Sequence, residues 1–178
     1  MRSYRYLIIV ISFILLVFSC MKIEKLPPEP MIRFTSFEVF DTIDINLGNK
    51  YKCGRLKFYF EDGDGDLGLK SPEESGPGAD STNLFFAMYR RKGGIIIPAP
   101  DNDPIKPSDY RIPYMERLGQ NKILKGTIFV TFLYPYGTPN DTIKYEFYIK
   151  DRAEHSSNTA STCEIALKTN SICTSPGN

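Results

Sequence analysis

The sequence has a single histidine and no excess of charge of either sign, and both absences limit what the chain can do. Lys and Arg total 22 against 21 Asp and Glu, so the chain lacks the basic excess expected of a nucleic-acid-binding protein. The one histidine, His155, stands in a polar turn, where a solvated side chain is expected rather than a general base. No Gly-x-Ser-x-Gly or His-Glu-x-x-His pattern occurs, although these patterns mark many hydrolases and metalloproteases. We therefore predict a non-catalytic protein that does not bind nucleic acid.

No apolar run is long enough to span a membrane. The longest, residues 7–18, is a 12-residue stretch after Arg2 and Arg5 in which every residue but Ser12 is apolar, whereas a spanning helix needs about 20. This length is typical of a signal-peptide core. The run ends in Val-Phe-Ser-Cys at Cys20, which resembles a bacterial lipobox, where the signal peptide is cut before a cysteine that then carries lipid. The resemblance implies a signal peptide at 1–19 and membrane attachment through lipidated Cys20; an uncleaved anchor and a plain secretory signal are the alternatives.

Residues 20–31 follow the expected cut and contain Pro27, Pro28 and Pro30 among charged residues. A proline-rich segment of this kind favours an extended conformation of about 3.1 Å per residue. We therefore expect a tether that holds the folded domain roughly 30 Å from the bilayer. The protein is expected at the bacterial cell envelope, at the outer membrane.

Cysteine spacing excludes a zinc site and leaves one disulfide as a candidate. No Cys-x-x-Cys pair occurs, and zinc sites of the common types need one. Once Cys20 is lipidated, Cys53, Cys163 and Cys173 remain. An odd number leaves at least one thiol without an intramolecular partner. Cys163 and Cys173 form the local candidate pair, which would fasten the C-terminal tail to the last strand.

Helical periodicity is missing from residue 32 onward, where apolar residues recur with a period of two. Such alternation, together with β-branched and aromatic residues, predicts strands. About seven strands separated by turns are expected across 32–168, with residues 169–178 as a polar tail. This pattern predicts an all-β domain, an antiparallel β-sandwich, with a small barrel as the alternative.

The densest group of charges lies in residues 60–68, Phe-Glu-Asp-Gly-Asp-Gly-Asp-Leu-Gly. Its carboxylates at Asp62, Asp64 and Asp66 repel one another, each pair by about 0.7 kcal/mol in bulk water and about 3 kcal/mol at an effective dielectric constant near 20. A bound cation would relieve this repulsion, and dense carboxylate oxygens suit Ca²⁺. Glu73 falls at position 12 of the calcium-loop template and is the predicted fourth ligand.

The acidic stretch has three further interpretations. A true EF-hand is excluded because a strand precedes the stretch. The calcium-loop template also requires glycine at position 6, where this chain has Leu67 and the glycine follows at Gly68. A dinucleotide fingerprint is excluded because the aspartates would repel a pyrophosphate and no βαβ pattern surrounds them. A β-turn without metal, in which the glycines adopt positive φ, remains the alternative. Asp151 is a candidate to approach the turn, because loops cluster at the ends of a sandwich.

Two stretches together resemble a known group of proteins. Residues 60–68 and 148–159 resemble small lipoproteins of Bacteroidetes-type bacteria, and the second stretch resembles the end of bacterial immunoglobulin-like (Ig-like) domains, which carry an Asp-x-Ala-Gly-Asn-x-Ser turn. Four residues keep the character of this turn, namely Asp151, Ala153, Ser156 and Asn158, while Glu154 and His155 replace its Gly-Asn. The resemblance implies an Ig-like sandwich on a lipid anchor at the cell envelope, and it implies no activity.

Two functional hypotheses follow. The first is a calcium-stabilised binding or interaction module with an envelope protein or a glycan as partner, and its distinguishing feature is the proline-rich loop 98–114. Aromatic rings in or beside long loops can contact such partners; those of this chain are Tyr110, Tyr114, Tyr134 and Tyr136. The second is an accessory structural lipoprotein without a ligand, in which these rings only cap the core. A glycan-active enzyme, with Glu73 and Glu74 or Asp101 and Asp103 as paired acids, is a distant third.

Overall fold

A computed structural model of the chain describes residues 25–44, 48–75, 81–116, 122–135 and 142–175, together with Tyr4 and Tyr6. The strands in these ranges are β1 Met31–Ile43, β2 Lys50–Asp62, β3 Leu84–Lys92, β4 Ile95–Pro98, β5 Leu124–Pro135, β6 Thr142–Ile149, β7 Ala160–Ser161, β8 Ile165–Ala166 and β9 Ser171–Thr174. One short helix, α1, covers Pro72–Ser75. Within the described ranges no helix has the length and apolar character needed to cross a membrane. The predicted signal peptide, apart from Tyr4 and Tyr6, lies outside the described residues, as do Cys20 and Tyr136.

The strands form two antiparallel sheets that face each other as a sandwich. One sheet has the order β5-β2-β1-β9 and the other the order β4-β3-β6-β7, with β8 also paired to β6. Strands β1, β2 and β5 follow the order of strands A, B and E of an immunoglobulin sandwich, and β4, β3, β6 and β7 follow that of C′, C, F and G. The predicted all-β sandwich is confirmed. It is built from nine strands in the described ranges, because the predicted last strand is divided into β7 and β8 and the tail adds β9.

The core lies between the sheets because apolar side chains alternate along each strand. In β6 every second residue is fully buried, from Ile143 to Ile149. Aromatic rings of opposite sheets meet across the interface, with 5.1 Å between the centroids of Phe58 and Phe147 and 5.4 Å between those of Phe86 and Phe132. Edge-to-face and offset pairs of this kind add to the stabilisation that comes from buried area.

The proline-rich loop 98–114 packs onto the sandwich. Tyr110 exchanges backbone hydrogen bonds with Leu84 at the start of β3, and Ile105 and Ile112 are buried. The Tyr110 ring meets Phe132 edge to face at 5.8 Å. Tyr134, predicted beside a loop, is 2% exposed and its hydroxyl lies 2.9 Å from the hydroxyl of Tyr145. Tyr110 and Tyr134 therefore belong to the core and its rim, whereas Tyr114 is 42% exposed.

The C-terminal tail, predicted to be polar and separate, is part of the first sheet. Its strand β9 pairs antiparallel with β1, and the Ser175 N–H donates to the Thr35 carbonyl at 3.0 Å. Cys163 and Cys173 form a disulfide with 6.5 Å between their Cα atoms, which is the pair chosen from the sequence. The domain thus continues beyond residue 168, because β9 supplies the hydrogen-bonding partner for one side of β1.

Candidate metal centre

Asp62 is the last residue of β2, and its side chain closes the loop that follows. It is fully buried, and its Oδ2 accepts the Leu67 backbone N–H at 2.7 Å. Leu67 is itself fully buried and fixes the far side of the loop. Between them Gly65 has a φ of 69°, a left-handed conformation that favours glycine. The alternation that buries Phe60 therefore also turns Asp62 inward.

Four aspartates come together at this end of the sandwich. Ligand oxygens of Asp62, Asp64, Asp66 and Asp151 all lie within 4.8 Å of one another. The first three belong to the loop after β2, and Asp151 comes directly after β6 in the opposite sheet. Two oxygens on opposite sides of a Ca²⁺ ion stand up to about 5 Å apart, since each Ca–O distance is about 2.3–2.6 Å. The group could hold a metal ion.

Two oxygens in this group are buried without a hydrogen-bond donor. Within the described part of the chain, Oδ1 of Asp62 and Oδ1 of Asp66 receive no hydrogen bond. Buried polar atoms are hydrogen-bonded in the great majority of cases, and a bound water or ion is a common partner for those without a protein donor. Burial raises the pKa of Asp62 to about 6, and burial together with the charge of Asp151 raises the pKa of Asp66. Without a cation the fold thus disfavours the charged form of both groups.

Asp151 is held in place by the turn that follows it. It is 2% exposed; its Oδ1 accepts the His155 backbone N–H at 2.8 Å, and its Oδ2 lies 2.9 Å from His155 Nδ1. The hydrogen bond between the His155 ring and the Asp151 carboxylate is the main reason why the pKa of His155 is raised. Glu154 has a φ of 66°, a left-handed conformation that is uncommon for a residue other than glycine.

Arg152 joins the two loops of the centre. Its Nη1 donates to the Gly68 carbonyl at 2.8 Å, and its guanidinium lies 5.0 Å from the Tyr114 ring centroid. Its charge lowers the pKa of Asp66, against the larger effect of burial. Gly68 has a φ of 95°, and a Cβ there would lie 2.4 Å from the Pro113 carbonyl oxygen. Both the backbone conformation and the close approach therefore require glycine at this position.

The predicted fourth ligand is not a member of the group. Glu73 lies in α1 and is exposed, and the fourth carboxylate is that of Asp151. The 12-residue template assumes one continuous loop, whereas α1 begins at Pro72 and the second sheet supplies the remaining carboxylate. His155 and Arg152 were missed as supporting residues. The Asp-x-Ala turn beside them was the signal that could have identified them.

The carboxylates predicted as acid pairs for glycan cleavage are either bonded to basic side chains or exposed. Asp103 accepts a hydrogen bond from Arg90 Nη2 at 2.7 Å, and this contact lowers its pKa. Asp101 is similarly bonded to Lys106 at 2.7 Å. A general acid for glycoside cleavage needs a raised pKa. Glu73 and Glu74 are both exposed on α1.

Comparison of the chain with protein-family models, with curated proteins and with solved structures found no match.

Proposed function

We propose that the protein is a non-catalytic lipoprotein of the cell envelope whose sandwich is a calcium-stabilised binding module. The observation that supports calcium is the buried Oδ1 of Asp62, which receives no hydrogen bond from the described residues and stands in a group of four carboxylates. The lipobox-like sequence before Cys20 supports attachment to the outer membrane. The resemblance to Bacteroidetes-type lipoproteins with an Ig-like ending agrees with both parts of this proposal.

The ligand set favours calcium over other metals. All four groups are carboxylates, which are hard oxygen ligands suited to Ca²⁺ and Mg²⁺ rather than to zinc or copper. Mg²⁺ requires distances of about 2.0–2.1 Å and near-ideal octahedral geometry, whereas Ca²⁺ accepts longer distances and irregular sets. A loop with three aspartates and one aspartate from the opposite sheet provides an irregular set. Extracellular modules of this kind bind calcium with a Kd of about 10⁻⁴–10⁻³ M.

Calorimetric titration of the protein with CaCl₂ is expected to show one site in this range. Asp66→Asn should weaken binding by at least about tenfold, which corresponds to 1.4 kcal/mol, because it removes the charge of one of the four ligands. Glu73→Gln is the matched control, since it removes the same charge nearby from a residue outside the group. The parent and Glu73→Gln are expected to bind alike. If neither binds at millimolar calcium, the proposed calcium site is wrong.

A groove on the outer face of the second sheet supports the binding role. It has a volume of about 400 Å³, and Phe85 and Tyr148, neighbours on β3 and β6, stack in it at 4.9 Å between centroids. Asp109, Glu146 and Thr159 also line it. Aromatic rings contact the C–H faces of sugars, and carboxylates and hydroxyls bond their hydroxyl groups. We therefore propose a neutral glycan as the ligand.

Replacement of Tyr148 by alanine is expected to lower binding on a glycan array by about tenfold, which corresponds to 1.4 kcal/mol. Phe129→Ala is the control, because Phe129 is an exposed aromatic residue on the other sheet. If the parent binds no glycan, the alternative of a structural lipoprotein without a ligand gains support. The packed position of Tyr110 and Tyr134 is the observation that favours this alternative.

A further inference from the structure

The segment that precedes β1, residues 25–30, lies against the loop that carries three of the four carboxylates. Gly63 stands between Asp62 and Asp64, and a Cβ on it would be 2.1 Å from the Pro27 carbonyl oxygen and 2.6 Å from that of Leu26. All three of its nearest contacts are backbone atoms of this segment. The segment, predicted to be an extended tether, therefore ends in contact with the domain.

The same segment also reaches the second loop of the centre. The charge of Glu29 acts on His155, which is bonded to Asp151. Pro30 is buried. Directly after it, the Ile32 N–H donates to Asn158 Oδ1 at 2.9 Å, and Asn158 Nδ2 donates back to the Ile32 carbonyl at 3.0 Å. The segment and the start of β1 that follows it are thus positioned by the two loops that bring the four aspartates together.

We propose that a cation bound by Asp62, Asp64, Asp66 and Asp151 fixes residues 25–30 on the sandwich, and that the docked segment in turn strengthens cation binding. This inference rests on the proposed calcium site. Besides the acidic cluster itself, it depends on the fully buried Asp62, whose Oδ1 receives no hydrogen bond from the described residues.

The physical basis is repulsion among the four carboxylates. When no cation is bound, their charges favour a wider separation of the two loops. Wider separation moves Gly63 away from Asp151, and the segment cannot then keep its contacts with both loops. A cation reverses this change. Because coupling between two binding events is reciprocal, displacement of the segment must weaken cation binding by the factor with which the cation favours docking.

The test measures how fast a lysine-specific protease cuts the bond between Lys25 and Leu26 in the full-length protein in detergent. The fragment that begins at Leu26 is quantified by mass spectrometry in CaCl₂ and in chelator, and protease activity on an unrelated peptide is measured in both buffers. Calcium is expected to slow this cut at least about fivefold, the lower end of ordinary coupling between sites.

Gly63→Ala separates the two sites because it keeps all four carboxylates. Gly63 does not have positive φ, and the three atoms nearest to the new methyl group belong to the backbone of the segment. The variant is expected to lose the calcium-dependent protection at Lys25 and to bind calcium about fivefold or more weakly by calorimetry. Its circular dichroism spectrum and thermal transition should stay close to those of the parent.

The outcomes distinguish the inference from the calcium site. If the parent binds calcium by calorimetry but calcium does not change the rate of cutting at Lys25, the inference is overturned and the calcium site stands. Absence of calcium binding would overturn both. The comparison within the parent protein decides between these results even if Gly63→Ala fails to fold.

Discussion

Asp62→Asn is expected to raise the free energy of unfolding of the metal-free protein by up to about 3 kcal/mol at pH 7 and to abolish its response to calcium. The pKa of Asp62 rises from 3.8 to about 6, chiefly through burial. A rise of this size corresponds to a preference of about 3 kcal/mol for the neutral form. Asparagine has the same shape and no charge, so the folded state no longer contains this buried charge.

The asparagine side chain can also form hydrogen bonds with the groups that surround Asp62. Its oxygen can accept the Leu67 N–H that Asp62 Oδ2 accepts at 2.7 Å. Its NH₂ group can donate to the neighbouring carboxylates, which lie within 4.8 Å. The same substitution removes a ligand from the cation. The stability advantage of the variant over the parent should therefore be largest without calcium and should shrink when calcium is added.

Urea unfolding in chelator and in 10 mM CaCl₂ measures both effects. The parent is expected to gain about 1.4–2.7 kcal/mol from calcium if the Kd lies between about 1 mM and 0.1 mM, and the variant should gain nothing. Asp101→Asn serves as the control, because the Asp101 side chain is fully exposed; exposed substitutions usually change stability by less than about 0.5 kcal/mol. A parent that is equally stable in both buffers would show that calcium does not stabilise the fold.

Replacement of Cys163 and Cys173 by serine is expected to lower the free energy of unfolding by about 2–3 kcal/mol. The disulfide joins residues 10 positions apart, and closing a loop of this length restricts the unfolded chain by about this amount. The loss should be largest at β9, since its four residues pair only with β1. Without the crosslink, β9 is held by these strand contacts and by the Ser175 hydrogen bond.

The measurement is urea unfolding of parent and double variant with and without reductant. Reductant should lower the stability of the parent to that of the double variant and should leave the double variant unchanged. Hydrogen exchange of the β9 amides should increase more than exchange in β2 or β6. Equal stability of all four samples would contradict a stabilising role of the crosslink.

The sequence predicted the sandwich well because alternation is a local property. Leu56, Phe58 and Phe60 alternate in β2, and all three are buried in the structure. The same alternation continues to Asp62, which explains why a charged residue is buried at the end of this strand. Three of the four carboxylates could therefore be named from one stretch of sequence.

The fourth carboxylate depends on the packing of the two sheets, and no local spacing encodes this packing. The template placed Glu73 at the right interval, but α1 begins at Pro72 and Glu73 is exposed. Asp151 reaches the centre because β2 and β6 end at the same end of the sandwich. His155 was interpreted as a solvated residue since its contact with Asp151 depends on the turn conformation at Glu154.

The two ends of the domain, residues 25–30 and 171–174, are the hardest to predict for a similar reason. Proline and charge in residues 25–30 indicated an extended tether, while the contact with Gly63 is made by backbone atoms that every sequence has. Residues 171–174 have only a short alternation, yet they pair with Val39 and its neighbours in β1. Composition describes how a free segment behaves and does not show where a sheet has an open edge.

Because β9 pairs with β1, the first sheet is complete only after β9 has been synthesised. Among the described strands β1 comes first in the chain and β9 last, so one edge of β1 stays open until all of these strands have been synthesised. An open strand edge can pair with other chains, and pairing over such a sequence distance is slow. A chain that is truncated before residue 171 would leave this edge exposed permanently. Aggregation of such truncated chains, rather than loss of the core, is the expected consequence.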